Sequence, residues 1–510
     1  MNGSSIGHSA ESHRRRTRVD SRHLLVLYVL SAGSLVFGGW LTFRASDVGA
    51  NSSLVLVPSL LLLTVMVLLP LRSEVQGGEV RFSVLVPVLV NLLYFVVGPA
   101  ISLLVSNKSA TWTAWPTPLL ILSLGFFLFY VGVSIAPRTG PTPSRRSCIR
   151  ENRAFAPAFI LSLVSVWFLR LWLLARGLGI THGPTLADYS RGLGMWAVTV
   201  WNLSYVPVCI CLAGNCGSTR TPRIKSRWAG VLPWVVASDC LYYILIGWRL
   251  FLLWELLLLL WVRRSRPAFV PARPLIIALA AVVLSVPLVY AERATLGELN
   301  LESGESQLEF LARRMAPATG AMGAERMFGA TEQGLKEDAG HRWNAIDWFS
   351  EVAYQHSAKD YPLLLGSSWM LRLPSLVPRA LWPGKPVQRS LDVIVDRHFD
   401  LPLKDDLKTT ETEVFANFGA PGFWAWMILY GMLAGFVARS LATESLREST
   451  LFLILCALPV VFLGETDVIA MLAGLRAPLA VWVLLRVFER PDGMRVPRSS
   501  PVRAEARLYK

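Results

Sequence analysis

Long apolar runs of membrane-spanning length recur along this chain, separated by short basic connections, and they restrict its folding more tightly than any other feature. A helix needs about 20 mostly apolar residues to cross the hydrocarbon of a bilayer. Runs of this kind occupy residues 24–43, 53–70, 82–104, 119–136, 155–175, 196–213, 228–246, 250–262, 274–290, 422–437, 451–463 and 468–488. Hydrophobic residues make up 53% and charged residues 17% of the 510, which excludes a water-soluble globular protein or a disordered chain. The expected fold is an all-α polytopic membrane protein with about twelve transmembrane helices and one large extracytoplasmic loop.

A net charge of +15 can signal nucleic-acid binding, but the basic residues here are distributed by topology. They cluster at Arg14, Arg15 and Arg16, at Arg145, Arg146 and Arg150, at Arg220, Arg223 and Lys225, at Arg263, Arg264 and Arg266, and at Arg495, Arg498 and Arg503. With a cytosolic amino terminus, every one of these connections falls on the cytosolic side, as the bias of Lys and Arg in short loops requires. The expected organisation has basic cytosolic tails at residues 1–23 and 489–510, nine helices within 24–290, an extracytoplasmic loop over 291–421 and three helices within 422–488. The amino terminus is too polar, and its first apolar run too long, for a cleaved signal peptide. All six cysteines lie in apolar runs or basic connections, with no disulfide framework or metal-knuckle spacing.

The polar segment 291–421 carries 19 Asp and Glu against 14 Lys and Arg. Its first half, through Gly340, is rich in Glu, Gly and Ala, and reads as linkers around a short helix at residues 307–315. In the second half Trp343, Ile346, Phe349 and Val352 recur at helical spacing, so residues 341–355 should form a helix with one apolar face. Pro374, Pro378, Pro383 and Pro386 then fix an irregular path.

Three arginines fall within apolar runs or at their edges: Arg170, Arg249 and Arg476. A charge at such depth is costly unless it is paired or faces a wet cavity, which makes each a functional candidate; Asp239 and Glu255, in neighbouring runs, are able to neutralise them. Arg249 sits in a tight Gly247-Trp248-Arg249 turn, where reaching a polar ligand is cheap. The polar segment adds Arg293, Arg372, Arg379, Lys385 and Arg389. Together these cations suit an anion site, since the planar guanidinium fork gives two parallel charge-assisted bonds to a phosphate. Trp343, Trp348, Trp369 and Trp382 suit either sugar faces or the headgroup belt. Glu411 and Glu413, ahead of the tenth run, read either as a base for an attacking hydroxyl or as charges at a helix start.

The string from Leu373 to Pro386, LPSLVPRALWPGKP, followed by Glu413-Val414-Phe415-Ala416-Asn417-Phe418-Gly419, resembles the Wzy-type O-antigen polymerases, or oligosaccharide repeat unit polymerases. Gly247-Trp248-Arg249 with the Leu-rich helix after it is similar to that family's Gly-x-Arg element, with Trp248 where a smaller residue is usual. The resemblance covers residues 243–439. It implies a membrane glycosyltransferase of GT-C-type architecture acting on the outer face of the cytoplasmic membrane, with a polyprenyl-diphosphate-linked oligosaccharide as donor and a second lipid-linked repeat unit as acceptor. Under it, Arg249, Arg379 and Lys385, with Arg293, Arg170 and Arg476, would hold the diphosphate, and Trp343 and Trp382 would stack on the glycan. Glu413 or His341 would take the acceptor proton, with Glu411 and Asp392 as rivals. No cofactor or metal is implied, and no nucleic acid. Membrane lipids, a chain-length regulator and a flippase are the other implied partners. Two further readings stay open: a ligase-like transferase with the same donor and a different acceptor, and a polytopic transporter or flippase of lipid-linked oligosaccharide.

Overall fold

The computed structural model describes residues 59, 61–70, 82–99, 117–137, 147–149, 155–175, 206–218, 227–245, 249–265, 270–296, 344–377, 382, 384–385, 391–401, 409–442, 450, 453–454, 457, 461 and 468–491. The first apolar run, the amino-terminal tail, the short helix expected at 307–315 and the tail beyond residue 491 lie outside them. The described residues are almost entirely helical. In order, its helices are α1 Leu61–Pro70, α2 Phe82–Leu92 with a π-helical turn Leu93–Val97, α3 Thr117–Ile135, α4 Phe155–Ala175, α5 Val206–Ser218, α6 Arg227–Leu245, α7 Arg249–Ser265 and α8 Ala272–Leu296. These are followed by α9 Ala345–Ala358, α10 Ser367–Arg372 continuing into a 3-10 turn Leu373–Leu376, α11 Leu391–His398, α12 Thr410–Ala442, α13 Val468–Gly474 and α14 Arg476–Phe488. Strand β1 (Ser147–Ile149) pairs antiparallel with β2 (Glu489–Pro491), tying the basic connection before α4 to the chain beyond α14.

Among the described residues, three segments are long and apolar enough to cross a bilayer: Thr117–Ile135, Thr410–Ser440 and Val468–Val487. Leu61–Pro70, Pro87–Val97, Ala156–Trp172 and Ala272–Ser285 are shorter apolar helices. The protein is a membrane protein. Helix α8 continues to Leu296, past the expected loop start at 291, because a helix ends where its backbone loses partners and not where hydropathy falls. Helix α12 starts at Thr410 but is interrupted at Gly419, so its longer stretch begins close to the run expected from 422.

Helices α3 and α12 lie side by side and run in the same direction. Trp424 Nε1 donates to the Ile121 carbonyl at 3.1 Å near one end, and Arg439 Nη2 donates to the carbonyls of Val133 (3.0 Å) and Ser134 (2.8 Å) near the other. Glycines make the approach possible. A Cβ on Gly431 would run into the Phe129 carbonyl, and one on Gly435 would stand 2.6 Å from that of Val133. Across the seam, a Cβ on Gly132 would strike the Ile428 carbonyl. Lipid offers no hydrophobic drive between helices, so close packing over small residues has to supply the association.

A second group comprises α4 to α8, in which α6 packs against α5, α7 and α8, and α5 against α4. Arg170 of α4 is fully buried here, and its Nη1 meets Asp239 Oδ1 of α6 at 2.5 Å. The Arg170 guanidinium carbon lies 4.5 Å from the Tyr242 ring centroid, 5.2 Å from that of Trp167 and 5.6 Å from that of Tyr243. Glu255 of α7 is buried within electrostatic reach of both charges. Arg170 is thus held as a structural ion pair in an aromatic cage.

Two predictions follow from this packing. Gly431→Val should lower stability by about 1–3 kcal/mol by forcing the seam apart, while Gly230→Ala, where nothing lies within 4 Å, should be neutral or mildly stabilising; unfolding of the detergent-solubilised protein reads both. Asp239→Leu, which strands a buried guanidinium, should cost about 3–5 kcal/mol. Adding Arg170→Met to Asp239→Leu should recover most of that loss.

Candidate functional site

Helix α12 is broken near its start. Gly419 has φ +64° and ψ −164°, and Pro421, two residues on, has no N–H to give the Asn417 carbonyl. The gap is filled from outside the helix. Leu365 N donates to the Asn417 carbonyl at 2.9 Å, and Leu364 N to the Ala416 carbonyl at 3.0 Å. To offer these donors the chain turns sharply at Leu365 (φ +49°) and Gly366 (φ +84°), closed by Ser367 N on the Leu364 carbonyl at 2.9 Å. Positive φ at both central positions suits glycine but strains leucine, so the bonds to α12 hold Leu365 where it would not stay alone.

A buried polar cluster locks this junction. Asn417 Oδ1 accepts from Gly366 N at 3.0 Å, and its Nδ2 donates both to Ser368 Oγ and to the Glu413 carbonyl, each at 2.8 Å. Glu413 is fully buried; its Oε2 accepts from Val468 N at 2.7 Å and its Oε1 from Ser368 Oγ at 3.4 Å. One carboxylate therefore fastens the first residue of α13 to the first turns of α12 and, through Ser368, to α10. Glu411, in the same helical turn, is buried as well. On the other flank, α9 lies against α12 with the Phe349 ring tilted against Phe415 and edge-on to Phe423, at centroid distances of 4.8 and 5.6 Å. Asn344 caps α9 by accepting from Asp347 N, so the helix expected at 341–355 is observed three to four residues later.

The Pro-rich stretch passes beside the start of the last apolar segment, its 3-10 turn packing on α13. Arg476, the first residue of α14, donates through Nη2 to the Ser375 carbonyl, and its Nε has no hydrogen-bond partner among the described residues. Lys385 Nζ donates to the Val377 carbonyl at 3.0 Å. Two cations expected to bind an anion thus meet on one short stretch, from the last apolar segment and from the far end of the proline run.

The other expected site residues are distributed as follows. Arg170 belongs to the α4–α6 ion pair and is not brought to the stretch that Arg476 and Lys385 share. Arg249 opens α7 and Arg293 lies in the last turns of α8, on backbone whose side chains are not described. His341, Trp343 and Arg379 lie outside the described residues. Asp392 lies in α11 with its side chain not described. Trp382 is exposed, whereas Trp348 is buried and donates to Asp396 Oδ1 at 2.9 Å, binding α9 to α11. Among the described residues no three His, Cys, Asp or Glu side chains gather as a metal site. Sequence reasoning passed over Ser368 and the structural part of Asn417; the only available signal was a polar pair in otherwise apolar surroundings. No family model, curated protein or solved structure matches the chain.

The geometry makes Glu413 a fastening group. Glu413→Gln retains one oxygen for Val468 N and should keep most of the stability, whereas Glu413→Ala leaves that buried N–H unpaired and should lose about 1–3 kcal/mol. The unfolding temperatures of the two detergent-solubilised variants read the difference.

Proposed function

We propose that this protein polymerises polyprenyl-diphosphate-linked oligosaccharide repeat units into a cell-surface polysaccharide. In this reading it is a GT-C-type glycosyltransferase of about twelve helices in the cytoplasmic membrane, with both termini cytosolic and residues 291–421 forming its extracytoplasmic loop. The observation that carries the reading is the meeting of Arg476 and Lys385 on the carbonyls of Ser375 and Val377, inside the string that resembles the polymerase family. The parallel run of α3 and α12 supports the topology, because an odd number of crossings between them gives that direction. The strand pair β1–β2 supports it too, joining two basic segments assigned to the cytosolic side.

The chemistry required is displacement at an anomeric carbon. The acceptor hydroxyl forms the new glycosidic bond, the bond to the diphosphate breaks, and polyprenyl diphosphate departs with its electron pair. Negative charge grows on the leaving phosphate, so fixed guanidinium and ammonium groups stabilise the transition state more than the ground state. Arg249, Arg379, Lys385 and Arg476 are the cations assigned to this work, with Arg293 at its margin, and Trp343 and Trp382 are assigned to the sugar faces. Glu413, whose oxygens accept from Val468 N and Ser368 Oγ, and His341 are the two groups assigned to the proton of the hydroxyl. A ligase-like transferase shares the donor and the cations and differs in its acceptor.

Arg249→Lys and Arg379→Lys should each reduce polymer formation at least tenfold in a reconstituted assay with lipid-linked repeat units, because a point charge does not reproduce a bidentate fork. Deleting the gene should leave single lipid-linked repeats on the outer leaflet; finished polymer still on its lipid would select the ligase reading, and cytosol-facing repeats a flippase.

A further inference from the structure

The Pro-rich stretch exposes large apolar side chains. Leu365 is 76% exposed, Met370 68% and Leu371 61%, and Leu373 and Val377 are also exposed. On a surface bathed by water, so continuous an apolar face would be a liability. Its anchor places it elsewhere. Arg476 lies eight residues beyond Val468, the first residue of an apolar segment of crossing length. At about 1.5 Å per helical residue this is about 12 Å along that segment, and Arg476 there holds the Ser375 carbonyl. Ser375 therefore lies at hydrocarbon depth beside the last apolar segment, whose own Leu472 and Leu479 are exposed.

Irregular backbone at that depth survives only if its polar groups are answered within the protein. Here they are answered in sequence. The Arg372 carbonyl accepts from Ser375 Oγ at 2.6 Å, that of Pro374 from Val377 N at 3.1 Å, that of Ser375 from Arg476, and that of Val377 from Lys385. A water-exposed loop has no need of this, since solvent would serve each carbonyl.

The geometry points to a re-entrant strap: residues Leu365–Val377 are inserted into one leaflet of the bilayer, with Leu365, Met370, Leu371 and Leu373 packed against lipid acyl chains in continuation of the lipid-facing surface of α13 and α14. The inference does not depend on the glycan reading, because lipid contact requires no substrate.

Photocrosslinking tests it. Benzoylphenylalanine is placed at Leu371, at Met370 and, for comparison, at the exposed Asp360, and each full-length variant is put into nanodiscs of phosphatidylethanolamine and phosphatidylglycerol. After irradiation, intact-protein mass should show phospholipid adducts at 371 and 370 at least fivefold above 360. A size-exclusion profile identical to wild type verifies folding, and the second strap position serves if one variant misfolds. Equal labelling at all three positions, no lipid adduct at either strap position, or crosslinks to a second copy of the chain would overturn the inference.

Discussion

A bilayer interior offers no hydrogen bonds, so each backbone group freed by a break in a helix needs a partner elsewhere in the protein. The region around α12 is organised by that requirement. Pro421 deprives the Asn417 carbonyl of its helical donor, and Leu365 supplies one. To do so the chain adopts two successive residues of positive φ, held in turn by Asn417 through Gly366. The same logic extends to the proline run, whose carbonyls are met by a serine, a backbone amide, a lysine and an arginine. Removing any one partner leaves a polar group without its hydrogen bond, at a cost of about 1–3 kcal/mol where that group is buried in protein.

Charge follows the same rule in two ways. Arg170 is neutralised by Asp239 and wrapped in three aromatic rings, an arrangement that spends its charge on holding α4 to α6. Arg476 instead meets a neutral carbonyl and keeps its charge, with Nε unengaged among the described residues. A guanidinium that retains its charge beside the proline run is suited to an anion in a way that the paired one is not. Two arginines at similar depth in the sequence are therefore distinct chemical groups, and only their neighbours distinguish them.

The seam between α3 and α12 supports this arrangement. Gly132, Gly431 and Gly435 bring backbone against backbone, so the helix that carries Glu413 and Asn417 at one end is fixed along much of its length. Glu413 then fastens Val468 and hence the last apolar segment, while Phe349 packs α9 onto the other face. Arg476 thus stands on a segment fastened to α12, so its guanidinium is held in place against the Ser375 carbonyl.

Hydropathy alone determined that this is a helical membrane protein, because the period and length of apolar runs report directly on what lipid tolerates. The bounds of α4 and α6 and the apolar face of α9 were legible for the same reason, each depending on residues near in sequence. Gly431 and Gly435 also carried a readable signal, small residues four apart, but their partner helix did not. Tertiary structure alone decided that Arg170 belongs with Asp239, that Glu413 fastens a helix some fifty residues away, and that Arg476 and Lys385 share one turn. The physical reason is that hydropathy is a sum over neighbours in the chain, whereas the partner of a buried charge or an orphaned carbonyl is chosen by packing between segments far apart in it.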